Sequence, residues 1–146
     1  MWDSFDDTPP LGKSATLRMG GLLVLLALTG LPFYVYHQVR LDAEQRQAAI
    51  ASTGGNPDNG PDLIRHYGCG GCHSVPDVPG ATGMVGPELG NLARRVYVGG
   101  VLTNTPDNLI AFIIDPKAID EKSAMPRTGI SQEEARDVAT YLYSLR

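Results

Sequence analysis

Between Arg18 and Arg40 the chain carries no Asp, Glu, Lys or Arg, and the centre of that stretch reads Leu22, Leu23, Val24, Leu25, Leu26, Ala27, Leu28. A helix rises about 1.5 Å per residue, so residues 19–39 match a hydrocarbon core of roughly 30 Å. A buried globular helix is excluded, because nothing else in 146 residues would cover such a segment on all sides. A cleaved signal peptide opens with a basic segment and ends its apolar core at small residues. This chain opens with Trp2, Asp3, Phe5, Asp6 and Asp7, and bulky, polar residues from Tyr34 to Arg40 follow the apolar run. The expectation is an uncleaved transmembrane helix over 19–39, kinked or loosened in its last turn by Pro32. Lys13 and Arg18 before it balance Arg40 and Arg46 after it, so charge alone leaves its orientation open.

The span divides the rest of the chain. Residues 1–18 form an amino-terminal segment. Residues 40–60 read as a linker: a helical extension from Leu41 to Ser52, then a break through Thr53, Gly54, Gly55, Asn56, Pro57, Asp58, Asn59 and Gly60. Residues 61–146 are the globular part. Pro61 and Asp62 suit a helix start, with Leu63, Ile64 and Tyr67 as its apolar face. A second helix is expected over Thr105–Ile114, opened by Pro106 and Asp107. A third runs over Ser131–Leu145, where Ser131 and Glu134 have capping-box spacing and Ala135, Val138, Ala139, Leu142 and Leu145 share one face. The loops between are rich in Gly and Pro and show no convincing strand, so the fold class is all-α.

Twelve Lys and Arg stand against sixteen Asp and Glu with no basic run, which removes nucleic acid as a partner. The two cysteines lie too close together for a disulfide framework. They form the string Cys69, Gly70, Gly71, Cys72, His73, the attachment pattern for haem c. Two thiols three positions apart can add to two vinyl groups on one porphyrin edge, and the adjacent His73 then places a ring nitrogen on the iron. A thioredoxin-like dithiol would need alternating strands and helices, and a zinc site would need further ligands; neither is present in the sequence. A sulfur opposite histidine raises the reduction potential of haem iron. Met1 and Met19 belong to the anchor, and Met84 follows His73 too closely to travel round the porphyrin. Met125, between Ala124 and Pro126, has the chain length to reach the opposite face. His66 precedes the motif on the same helix and reads as a surface or packing residue.

These residues resemble the class I cytochrome c family over Pro61–Arg146. Four pieces agree in order: Cys69–His73; Gly86, Pro87, Glu88, Leu89; Asp115, Pro116, Lys117 leading to Met125 and Pro126; and a closing helix with Tyr141. The resemblance implies one covalent haem c in an all-α class I fold preceded by a single transmembrane helix. It also implies that the Pro87 carbonyl holds the second ring nitrogen of His73 and that Arg95 lies near a haem propionate. Phe112 departs from the mitochondrial pattern, where a tyrosine approaches the methionine sulfur, and the only tryptophan, Trp2, is outside the domain. The stretch Val98–Leu109 with Asp115 and Pro116 is similar to haem c domains attached to terminal oxidases of the caa3 type.

Haem c attachment in that family is extracytoplasmic. The implied arrangement therefore has residues 1–18 in the cytoplasm and the haem domain on the periplasmic side of a bacterial inner membrane. With both axial positions filled by His73 and Met125, the expected role is single-electron transfer to a respiratory membrane complex or oxidase, with no small-molecule substrate and no enzymatic turnover of its own. The rival is a haem sensor or peroxidatic protein in which Met125 is labile.

Overall fold

A computed structural model describes residues 13–145, with side chains from residue 18. Trp2 and most of the expected segment 1–18 lie outside the described residues. The chain divides into two compact units, Met1–Arg40 and Leu41–Arg146.

The first unit is occupied by helix α1, which runs Lys13–Thr53 and continues into the second unit. Among the described residues it is the one helix long and apolar enough to cross a membrane. Leu22, Leu25, Leu28 and Phe33 are all exposed, as a helix with an apolar surroundings requires. The Arg40 guanidinium sits 5.6 Å from the centre of the Tyr36 ring, a pairing suited to a membrane interface. α1 passes Pro32 without ending, because a proline cancels a single i-to-i−4 bond and the flanking turns carry the helix on.

The second unit is mainly helical: α2 (Gly60–His66), α3 (Pro106–Ile114), α4 (Pro116–Ile119) and α5 (Gln132–Ser144). The capping box that opens α5 is as expected, and α3 has a side-chain cap of its own. Thr105 accepts from Asn108 N to start α3, and Ser131 and Glu134 bond reciprocally to start α5. α2 has only seven residues, too few to persist alone, and its Ile64 is wholly buried in the core with α5. Tyr67 OH donates to Glu134 at 2.9 Å and fastens the end of α2 to the start of α5.

Two expectations are corrected. A small antiparallel hairpin, β1 (Tyr97–Val98) with β2 (Leu102–Thr103), stands where no strand was foreseen. Gly99 and Gly100, both at positive φ, supply the tight turn that closes it. The segment 41–60 is not a free linker but part of the second unit. Gln45 Nε2 donates to the carbonyls of Tyr143 (3.2 Å) and Leu145 (2.6 Å) at the end of α5. Ala49 is buried, and the Thr53 hydroxyl meets that of the fully buried Thr140 at 2.5 Å. Asp137 accepts from Asn56 N and Asn59 Nδ2, each at 2.7 Å. Glycine and asparagine here serve close approach to α5 and side-chain capping, not flexibility.

Candidate functional site

α2 delivers the chain to a 3₁₀ turn at Cys69–Gly71. Cys72 N and His73 N both donate to the Cys69 carbonyl, at 3.2 and 2.9 Å, so the motif coils on itself. Cys69, Cys72 and His73 all line one cavity of about 340 Å³. Pro87, Arg95 and Met125 line the same cavity, so all six residues singled out in the sequence are brought together. Its interior is the apolar core: Ile64, Leu92, Leu109, Ile113, Val138 and Leu142.

His73 Nδ1 lies 2.7 Å from the Pro87 carbonyl. A carbonyl only accepts, so Nδ1 carries the proton and Nε2 keeps its lone pair for a metal. The loop that brings Pro87 there is sewn to the motif by Gly86 N to Cys72 O and Leu89 N to Ser74 O, each 2.8 Å. At Gly86 a β-carbon would collide with the imidazole ring, so the side chain is missing where the ring packs. The Arg95 guanidinium donates to the carbonyls of Glu88 and, at 3.2 Å, Gly90.

Met125 is half-buried in the loop between α4 and α5, its N–H donating to Ser123 Oγ at 3.3 Å. Met84 is 92% exposed and is not among the residues lining the cavity. His66 is exposed, its ring edge-on to Tyr67. Phe112 lines the cavity.

Burial pushes the Cys69 thiol above its ordinary pKa, a little offset by a backbone hydrogen bond. An activated redox thiol carries the opposite shift. Among the described residues no group of three or more His, Cys, Asp or Glu side chains is arranged to hold a bare metal ion. A haem suits the site on different grounds. The apolar interior matches a flat macrocycle, the thiols stand on its wall beside an imidazole with Nε2 free, Met125 offers a soft sulfur, and one guanidinium is present for a carboxylate.

Sequence reasoning missed Asn104 and Tyr143. Asn104 bonds the carbonyls of Leu92 and Arg95 and accepts from the Tyr143 hydroxyl. The stretch Val98–Leu109 contains Asn104, but nothing in a linear pattern reveals a side chain that braces a loop nine residues back.

Over 91 residues the chain is 33% identical to the cytochrome c oxidase subunit 2 of Alkalihalophilus pseudofirmus, which covers 61% of this chain and 25% of that subunit. The chain thus matches about a quarter of that relative's length. Over 104 residues it is 29% identical to the cytochrome c-552 of Bradyrhizobium diazoefficiens, covering 71% of this chain and 86% of that protein. The chain is cytochrome c-like and related to an oxidase subunit. For this cytochrome c-like protein the second match matters most to the fold, because it extends over nearly all of a small cytochrome. No family model matches the chain, and no solved structure does.

Proposed function

We propose that this protein is a membrane-anchored monohaem c-type cytochrome that passes single electrons to or within a respiratory oxidase or quinol-oxidising complex. The observation that carries the reading is the meeting of Cys69, Cys72, His73, Pro87, Arg95 and Met125 on one apolar cavity, with the His73 proton committed to Pro87. Haem c supplies a reversible one-electron step at its iron. Cys69 and Cys72 would hold it through thioethers, His73 Nε2 and the Met125 sulfur would ligate its iron, and Arg95 would meet a propionate. With His73 and Met125 both committed to the iron, reorganisation would be small and substrates would find no open position.

Residues 19–39 anchor the protein in a bacterial inner membrane, with the amino terminus cytoplasmic and residues 41–146 periplasmic. Confinement to the membrane raises the effective concentration of membrane partners, so affinity can stay weak and release quick. In residues 61–146 acids outnumber bases, so docking relies little on a positive patch.

The test is a spectrum of the purified full chain. Haem that stays with the polypeptide through denaturing electrophoresis, together with a ferrous spectrum that carbon monoxide does not alter, is the expected result. Prompt carbon monoxide binding by the untreated protein would move the reading to a ligand-binding sensor, and a chain without covalent haem would end it.

A further inference from the structure

We propose that Tyr143, Asn104 and Arg95 form a positioning relay that fixes the His73 imidazole through the Pro87 carbonyl; the inference rests on the haem reading above. Asn104 is fully engaged. Its Nδ2 donates to the carbonyls of Leu92 and Arg95, both at 2.8 Å, and its Oδ1 accepts from Tyr143 OH at 2.7 Å. A reversed amide would set oxygen against two carbonyl oxygens, so the hydrogen bonds admit one orientation. The tyrosine end is equally committed. Burial pushes the Tyr143 phenol up to about 12, so it keeps the proton it donates.

Asn104 thus holds the backbone of Arg95, whose own N–H donates to the Leu92 carbonyl at 3.0 Å. From that base the guanidinium reaches back to the carbonyls of Glu88 and Gly90. The Glu88 carbonyl is one peptide unit beyond that of Pro87, and Leu89 N is already bonded to Ser74 O. With proline's φ set by its ring, clamping these groups leaves the Pro87 carbonyl little freedom to rotate away from Nδ1. The relay therefore runs from α5 to the imidazole without either Asn104 or Tyr143 touching it.

A bond at Nδ1–H makes the imidazole a stronger donor at Nε2, which favours ferric iron. Loosening the relay should weaken that bond and shift the potential upward. This separates the relay from a propionate role, which needs only the charge of Arg95. A lysine keeps the charge but not the rigid, planar guanidinium that aims Nη2 at both carbonyls.

The experiment uses the haem-loaded full chain with Asn104→Leu, Tyr143→Phe and Arg95→Lys. Exchange of the His73 Nδ1 proton with solvent, followed by NMR, should speed up roughly five- to tenfold in Asn104→Leu, the scale of one lost neutral hydrogen bond. Tyr143→Phe should show a smaller increase. Amide exchange at Ile64 and Leu142 should stay parental, which a general loss of stability would not allow. The midpoint potential should rise in the same order, and Arg95→Lys should behave like Asn104→Leu. If Asn104→Leu fails to fold, the two conservative variants carry the same comparison. Parental proton exchange and potential in the haem-loaded variants would overturn the relay alone. A parent chain without covalent haem would overturn the relay together with the haem reading.

Discussion

The two segments that bring His73 and Met125 to the cavity are built differently. On the histidine side, residues 69–95 are tied to one another and to distant elements: Gly83 N to Gly70 O, Gly86 N to Cys72 O, Tyr141 OH to the Pro76 carbonyl, and Asn104 to Arg95. On the methionine side, among the described residues, the hydrogen bonds are local turns and an ion pair reaches further. Lys122 N and Ser123 N turn back onto Asp120, Met125 N onto Ser123, and Arg127 pairs with Asp115 at 3.3 Å. Local turns open at less cost than bonds that reach across the core. His73 is therefore held in place by the fold, whereas the Met125 loop is held mainly by its own turns.

The largest effect should come from breaking the histidine side. Gly86→Ala puts a methyl into the His73 ring, and overpacking of this kind costs about 1–3 kcal/mol where the neighbours do not yield. The yield of covalently loaded protein, measured by haem absorbance per polypeptide, should fall sharply. A normal yield with an unshifted His73 proton resonance would show that the ring has more room than its packing indicates. Next comes Met125→Ala. It should keep the covalent haem, open the iron to carbon monoxide, remove the sulfur-to-iron charge-transfer band and lower the potential, in line with the axial-ligand rule. If Met84→Ala gave these results and Met125→Ala did not, the distal assignment would fall.

The same asymmetry decides what was readable in the sequence. Cys69, Cys72 and His73 lie within five residues and form one short motif, so local spacing carried them, whereas Pro87 was implied only by the family resemblance. The cap of α5 was legible for the same reason as the cysteine motif: Ser131 acts on a group three residues away. What was not legible depends on distance along the chain. Glycine and asparagine at 54–60 look like a flexible linker until Asp137 and Thr140 are brought beside them. Asn104 looks like a turn residue until Tyr143 and Arg95 meet it. The β1–β2 hairpin has two residues in each strand, too few for an alternating pattern to show.

On the methionine side, Arg127→Ala removes the pair with Asp115. Arg127 is mostly exposed, and pairs of this kind contribute about 0–1 kcal/mol, so the global unfolding midpoint should barely move. The Met125 loop should nevertheless loosen first. Carbon monoxide, negligible in the parent, should then bind the ferrous variant slowly but measurably. Equal loosening of the histidine side, seen as faster His73 Nδ1 proton exchange, would erase the contrast between the two segments.

The smallest effect concerns the clamp behind the motif. Glu134 accepts from Ser131 Oγ at 2.6 Å, Ser131 N at 3.1 Å and Tyr67 OH at 2.9 Å. Those bonds, the Ser131 hydroxyl first, hold its carboxyl below the ordinary value of 4.5, with nearby His66 adding a minor pull in the same direction. A carboxyl depressed in the folded state adds stability that is fully present above its unfolded pKa and is lost as pH falls through the folded one. The hydrogen bond to Glu134 is also the first cause that raises the Tyr67 phenol above 10.0. Its contribution has the opposite sign: present below the unfolded value and lost as pH rises through the folded one. Glu134→Gln keeps a hydrogen-bonding side chain but cannot titrate. Its denaturant midpoint should therefore lie slightly below the parent's near neutrality and converge with it below pH 4.5, while the alkaline limb governed by Tyr67 flattens. Because Tyr67 stands two residues before Cys69, an acid limb unchanged by the substitution would remove one support of the histidine side's greater rigidity.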